Sequence, residues 1–284
     1  MSIPKVKQGY LSPQELWQEI EREAAQELEN EPLLSTYIFS TVTYHKTFAD
    51  VLMFHLASKL GGPTLADRNW MKIFADPFKD DAQIVESACI DLQVIAERDP
   101  ACTGYMTSLL YFKGYQALQC YRVANWYWKN GRKFLALFIQ SRMSEVFSVD
   151  IHPAAQIGTG IFVDHAHGIV IGETAVVEDN VSMLHGVTLG GTGNERGDRH
   201  PKVRHGVLIG AGAKVLGNIE INEGATIAAS SVVLEDVPAH VTVAGIPARI
   251  TGHPRTDNPA RDMDHRLKEE GFDPCSICDV APKT

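Results

Sequence analysis

From Ile151 onward the chain repeats in sixes. Aliphatic residues open successive hexapeptides at Ile151, Ile157 and Val163, then, after a slip of two residues, at Ile171, Val177, Met183 and Leu189. After an interruption the frame resumes at Val203, Ile209, Val215, Ile221, Ile227 and Val233. Four places on from these openers stand small or branched residues, among them Ala155, Ile161, Ala175, Val181, Val187, Val207, Ala213, Ile219 and Ala225. A period of six matches neither the 3.6 of a helix nor the 2 of an amphipathic strand. It matches a parallel β-helix in which three short strands complete one triangular coil of about 18 residues, coils stacking at about 4.8 Å. An antiparallel domain would need two-residue alternation and hairpin turns, which this region lacks. Gly158, Gly172, Gly190 and Gly210 follow an opener, where a corner is expected to need a permissive backbone. The stretch "GTGNERGDRHPK", 191–202, breaks the frame and is expected to leave a corner as a loop, the usual place for function on a rigid scaffold.

Before Asp150 the signals are helical. In "SPQE" Ser12 is placed as N-cap, Pro13 at the first helical position and Glu15 at the capping-box position, ahead of Leu16, Ile20, Ala24 and Leu28. Pro32, Gly61-Gly62, Pro77, Pro100 and Gly131 then divide further apolar segments into an expected six to eight helices. The aromatic residues of "NWYWKNG" are expected in a core or a helix-to-helix subunit contact. The chain therefore divides into a helical domain, 1–149, a β-helix, 150–252, carrying the loop 191–202, and a C-terminal tail, 253–284. Residues 257–284, around Pro254, Pro259 and Pro274, are expected to be largely disordered.

The formal charge of -9 divides into -3 over residues 1–150 (15 Lys and Arg against 18 Asp and Glu) and -6 over the rest (11 against 17). Nucleic acid is not an expected partner of so acidic a chain. No apolar run is long enough to span a bilayer, and the opening "MSIPKVKQGYLSPQELW" lacks the apolar core of a signal peptide. A cytoplasmic protein is expected, without membrane partners. Five cysteines, Cys89, Cys102, Cys120, Cys275 and Cys278, form no dense disulfide framework. The pair Cys275 and Cys278 lacks a second pair for zinc.

Within "VDHAHGIVIGETAVVEDN" the residues that break the apolar pattern are Asp164, His165 and His167. His165 holds the third place of its hexapeptide, an outward or corner position, whereas His167 falls where other repeats put small apolar residues and is expected to be half-buried. Asp164 adjoins His165, and Asp150 lies 15 residues upstream, near enough to a coil's length to approach the ring. An aspartate that accepts from one imidazole nitrogen fixes the tautomer and leaves the other free to take a proton. No cysteine occurs between 150 and 252, which favours direct attack by a substrate hydroxyl over a cysteine acyl-enzyme there. A different chemistry is a γ-class carbonic-anhydrase-like metal site, since His165, His185 and His205 all hold third places and three imidazoles can bind zinc. A purely structural β-helix is the non-enzymatic alternative.

The segment "DIHPAAQIGTGIFVDHAHGIVIGETAVVEDNVSMLHGVTLGGTGNERGDRHPKVRHGVLIGAGAKVLGNIEI", closed by "AGIPARITG", resembles the serine O-acetyltransferases of the hexapeptide-repeat acyltransferase superfamily. "ACIDLQVIAERDPA" and "LLYFKGYQALQCYRVANW" resemble that family's helical domain, so the likeness covers about residues 12–264. Sugar or xenobiotic O-acetyltransferases share the hexapeptides alone. The resemblance implies an α+β protein, with an N-terminal all-helical domain followed by a left-handed parallel β-helix of hexapeptide repeats. It implies acetyl transfer from acetyl-CoA, a co-substrate, to L-serine, with no permanently bound cofactor and no metal. His165 matches the catalytic base and Asp150 its orienting partner. Asp91, Asp164, Arg199 and His200 match the positions that hold serine, or L-cysteine as feedback inhibitor: carboxylates for the ammonium, a guanidinium for the carboxylate. Without the resemblance, Asp91 would be a solvated helix face and Arg199 an ordinary surface charge. Gly191, Thr192, Ala211 and Ala229 are expected along acetyl-CoA, with Lys202, Arg204, Lys214 and Arg249 as candidates for its phosphates or as plain solvated charges. The implied assembly is a homotrimer, and a dimer of trimers through the helices. Family members that bind O-acetylserine sulfhydrylase use a terminal Ile; "CDVAPKT" has none, so weak or no binding of that partner is expected.

Overall fold

The computed structural model describes residues 9–193 and 196–266, so the positions Cys275, Cys278 and Thr284 lie outside the described residues. Before Val149 the chain forms α1 (Pro13–Asn30), α2 (Ser35–Ile38), α3 (Phe48–Leu60), α4 (Asp67–Asp80), α5 (Ala82–Arg98), α6 (Tyr105–Tyr111), α7 (Lys113–Lys129) and α8 (Lys133–Phe147). A 3-10 turn at Pro32–Leu34 and a π turn at Phe39–Thr43 flank α2. The capping box at Ser12 is formed in both directions: Glu15 N–H donates to Ser12 Oγ at 3.3 Å, and Ser12 N–H to Glu15 Oε2 at 2.8 Å. Pro77 does not end a helix as expected; it lies inside α4, whose buried Trp70 and Phe74 hold that helix on the core.

The second half is a three-sided parallel β-solenoid. Its strands are β1 (Val149–Ile151), β2 (Gln156–Ile157), β3 (Phe162–Val163), β4 (Ile169–Ile171), β5 (Val176–Val177), β6 (Ser182–Met183), β7 (Thr188–Gly190), β8 (Lys202–Val203), β9 (Leu208–Ile209), β10 (Lys214–Leu216), β11 (Glu220–Ile221), β12 (Thr226–Ile227) and β13 (Val232–Val233). A final hairpin, β14 (Thr242–Gly245) and β15 (Ala248–Gly252), closes it with an antiparallel edge. Up to β13 the strands that pair are three apart in sequence, and β14 then joins β12, giving faces ordered β1-β4-β7-β10-β13, β2-β5-β8-β11 and β3-β6-β9-β12-β14-β15. The predicted openers point inward: Ile151, Val163, Ile171, Val177, Met183, Leu189, Val203, Ile209, Val215, Ile221, Ile227 and Val233 are buried, and Ile157 is half-buried.

Register records each irregularity seen in the sequence. Asp150 pairs with Val170, 20 residues on, because of the two-residue slip, and Val170 then pairs with Thr188 at the regular 18. Thr188 pairs with Lys214, 26 on, and Lys214 with Val232, again 18 on, so the loop beginning at Gly191 lies between intact coils.

The four corner glycines have another reason than the expected one. None of Gly158, Gly172, Gly190 and Gly210 has a positive φ. They make room for the next coil: a Cβ on Gly210 would lie 2.5 Å from the backbone nitrogen of Ala229, and one on Gly158 would lie 2.3 Å from Asp179 Oδ1. The left-handed corner positions are taken by Gly168, Gly186, Gly206, Gly212 and Gly224, and by non-glycine residues including His165, Ala166 and Asn180.

Helices α5 and α7 cap the first coil, as a solenoid end requires. Gly114 allows the start of α7 to approach β3, since a Cβ there would lie 2.1 Å from the Val163 carbonyl oxygen. Tyr121 and Asn125 donate to Ala155 O at 2.5 and 3.1 Å, and Arg98 donates to Gly160 O at 3.1 Å, Ser182 Oγ at 2.9 Å and Asn180 Oδ1 at 3.2 Å. Contrary to the expectation of disorder from Asp257, a ninth helix, α9 (Pro259–Asp262), docks on this junction. Ser182 Oγ donates to Ala260 O at 2.6 Å, Arg261 pairs with Glu97 at 2.6 Å, and Ala260 is buried. Pro259, expected to break structure, instead starts this helix at N1.

Candidate active site

Two edges of the prism carry the predicted site residues. The edge where β3, β6, β9 and β12 turn into β4, β7, β10 and β13 comprises residues 164–168, 184–187, 210–213 and 228–231. It stacks by backbone bonds from Gly186 N to His167 O, Gly212 N to His185 O and Ser230 N to Ala211 O, each 2.7–2.8 Å. Asp164, His165, His185, Ala211 and Ala229 therefore form one column. The edge at the other end of β4 and β7 carries Glu173, Thr174, Gly191, Thr192, Arg199 and His200. The expected acetyl-CoA contacts thus divide, Ala211 and Ala229 on the first edge and Gly191 and Thr192 on the second.

His165 is held in a left-handed conformation, φ +54°, followed by Ala166 at +59°. Two successive non-glycine residues in that region store strain, which is found where function over-determines the backbone. The result is an imidazole thrust outward, its side chain 74% exposed, with Nε2 3.7 Å from Asp164 Oδ2 and the ring packed edge-on to His185 at 5.8 Å between centroids. Ala166, not His167, fills the buried place; His167 is exposed, its Nδ1 3.3 Å from Lys113 Nζ. The slip lengthens this corner by two residues and moves His167 out of the apolar phase.

Asp150 lies in mid-strand on β1, on the face between the two edges, and its Oδ1 accepts from Gln140 Nε2 at 2.6 Å. The 20-residue first coil aligns it with Val170, not with the corner, and among the described residues the carboxylate that lies within 4 Å of the His165 ring nitrogens is that of Asp164.

On the second edge, Arg199 Nη2 donates to Glu173 Oε2 at 2.9 Å and Nη1 to Gly197 O at 3.1 Å. That hydrogen bond holds the Glu173 carboxyl below its ordinary pKa. His200 is buried and packs so closely on the backbone that a Cβ on Gly172 would meet its Cδ2 at 2.0 Å. Burial, then the charge of Arg199, lowers the His200 pKa, so the ring is neutral at neutral pH. His152, below it in the stack, is likewise lowered by burial and meets Trp128 edge-on at 5.0 Å.

Asp91 is not part of this surface. Its side chain is 0% exposed on α5, with Oδ2 accepting from Arg122 Nη2 at 2.6 Å and from Gln119 Nε2 at 3.1 Å, and Oδ1 accepting from Ile161 N at 3.0 Å. A carboxylate so enclosed has no oxygen to offer a substrate ammonium. It ties the helices to the first coil, and it leaves the set of serine ligands.

Two phosphate candidates are likewise committed. Lys202 Nζ donates to Asp198 Oδ1 at 2.5 Å, His200 O at 2.8 Å and Thr174 O at 2.9 Å, and Arg204 bridges Glu178 and Glu220. Lys214 donates to the Gly186 carbonyl, and Arg249 lies 3.9 Å from Glu235. As for the zinc alternative, His205 lies at the third edge, between β8 and β9, so the three imidazoles do not gather within the chain. Among the described residues no group of three His, Cys, Asp or Glu side chains is arranged to hold a metal ion, and no helix is long and apolar enough to cross a membrane.

The sequence contained no signal for the parts played by Gln140, Glu173 and Thr174. Only the fold brings Glu173 and Thr174 against Arg199 and His200, 25–26 residues further on.

Known proteins agree with both halves. The N-terminal serine acetyltransferase family model matches residues 16–120. The serine acetyltransferase of Escherichia coli strain K12 is 50% identical over 252 residues, 89% of this chain and 92% of that protein. A solved structure described as serine acetyltransferase in complex with cysteine superposes with a TM-score of 0.87 at 48% identity, covering 89% of this chain and 98% of the other. One from Brucella abortus strain S19, in complex with coenzyme A, gives 0.83 at 48% identity over 84% and 95%. Half of the residues are identical over nine-tenths of the chain, across helical cap and interrupted hexapeptide solenoid alike, and the chain belongs to the serine acetyltransferase family.

Proposed function

We propose that the protein transfers the acetyl group of acetyl-CoA to the hydroxyl of L-serine, giving O-acetyl-L-serine and CoA in a ternary complex. The observation that carries this is the outward imidazole of His165, fixed in a strained corner beside Asp164 at the foot of the Ala211–Ala229 column. In the forward step His165 takes the serine hydroxyl proton as the oxygen attacks the thioester carbonyl. The tetrahedral intermediate collapses with loss of the C–S bond, and the proton passes from His165 to the thiolate. Asp150, which lies on the face between the two edges and not at the His165 corner of its own chain, is proposed to orient the ring of a neighbouring copy. The serine carboxylate goes to Arg199 and its ammonium to Asp164, and L-cysteine, differing only by thiol for hydroxyl, competes for the same contacts.

Because Asp164 and His165 lie on one edge and Arg199 and His200 on another, one chain does not assemble the site alone. In a homotrimer the His165 edge of each copy would face the Arg199 edge of the next, with acetyl-CoA along the groove between them; helix contacts would join two trimers. The test is complementation. His165→Ala and Arg199→Ala chains, each nearly inactive, are unfolded together and refolded as mixed oligomers. Activity recovered only in the mixture, dependent on serine and acetyl-CoA, is expected. No recovery in correctly mixed oligomers would place both groups in a site within one chain.

A further inference from the structure

The loop that leaves the solenoid at Gly191 returns onto a single hydroxyl. Thr174 Oγ1 accepts from the backbone N–H of Arg199 at 3.0 Å and of His200 at 3.1 Å, two successive amides, and lies 2.8 Å from His200 Nδ1. Thr174 N–H donates to His200 Nδ1 at 3.2 Å. A backbone amide can only donate, so Nδ1 is an acceptor and the neutral ring carries its proton on Nε2. Thr174 thus addresses both residues at once: it fixes the chain from which Arg199 projects, and the tautomer and seat of His200. Its carbonyl also takes Lys202 Nζ at 2.9 Å, fastening the loop on its far side.

We propose that Thr174 is a positioning residue for the amino-acid substrate, presenting the Arg199 guanidinium and the Nε2–H of His200 in one fixed relation. The inference rests on the reading that these two residues hold serine. It assigns Thr174 no contact with the reacting atoms and no part in the binding of acetyl-CoA.

Thr174→Val keeps shape and volume but removes the acceptor, stranding two amides; Thr174→Ser keeps the acceptor and removes the methyl. Steady-state kinetics on oligomers of parental size should show the serine KM raised about ten-fold or more in Thr174→Val. The acetyl-CoA KM should stay within two-fold, and cysteine inhibition should weaken by the same factor as serine binding. Thr174→Ser should restore parental values. A serine KM unchanged in Thr174→Val, while Arg199→Ala raises it strongly, would overturn the inference and leave the site reading standing. Thr174→Ser as impaired as Thr174→Val would assign the effect to methyl packing and also overturn it. An Arg199→Ala variant with an unchanged serine KM would remove the amino-acid site from this edge, and the inference with it.

Discussion

At the scale of the residue, a strained backbone presents the reactive group. His165 lies at φ +54° with 74% of its side chain in solvent, so truncating it removes chemistry without opening a core. The His165→Ala variant is expected to lose about 10²–10⁴-fold in kcat, the contribution of a general base, with an oligomer of unchanged size and melting. Asp150→Asn, which removes charge from a group that only orients, should lose less. Turnover of His165→Ala equal to the parent's, in an intact oligomer, removes His165 from the mechanism. What could be read of this residue in advance was its outward phase in the hexapeptide frame. What could not was the identity of its neighbours, because a slip of two residues turned Asp150 onto a face and pushed His167 into solvent. Asp91 shows the other limit: a helical carboxylate has the same one-letter symbol whether it faces water or, as here, a buried guanidinium.

At the scale of the element, the six-residue period determined strand positions because each strand has one inward place and no freedom to shift it. The corner glycines were legible as positions but not as causes. Two conformational needs, a left-handed φ and the absence of a Cβ, both select glycine, and only the stacked coil separates them at Gly172 and Gly210. The helices offer a pH-dependent counterpart. His55 lies inside α3, 2% exposed, its Nε2 3.1 Å from the Leu110 carbonyl and 3.0 Å from Gln116 Nε2. Burial pushes its pKa down to about 4, against about 6.5 in the unfolded chain. Between those values the unfolded state binds the extra proton, so stability is fully present above about pH 6.5 and falls as pH drops towards about 4. The loss amounts to about 3 kcal/mol by linkage. Urea titrations at pH 7, 5.5 and 4.5 should show this fall, and a His55→Gln variant should show correspondingly less of it. An equal pH dependence in both proteins would mean that other groups govern acid unfolding.

At the scale of the whole molecule, the helical domain and the solenoid are held together by charges taken out of water. Asp91 on α5 and Arg122 on α7 are 0% and 8% exposed at the side chain; Arg122 also donates to Gly158 O at 2.8 Å, and Asp91 receives Ile161 N. The pair therefore pins two helices to the first coil, the junction on which α9 also docks. Desolvation offsets much of the attraction in such a pair, so its net stabilisation is small, but losing one partner is another matter because the survivor stays buried and uncompensated. Arg122→Ala should destabilise the protein by about 3–5 kcal/mol. Adding Asp91→Ala removes the stranded carboxylate, so the double variant should be no less stable than Arg122→Ala alone, and the coupling in a double-mutant cycle should be at least as large as the loss caused by Asp91→Ala by itself. Asp91→Ala oligomers that remain folded should keep the parental serine KM, since the carboxylate faces the domain junction and not the substrate. Denaturant unfolding of the four proteins measures the coupling, and kinetics of Asp91→Ala separates architecture from recognition. Additive losses would mean that the two residues act independently, and a serine KM raised ten-fold in folded Asp91→Ala would return that residue to the substrate site.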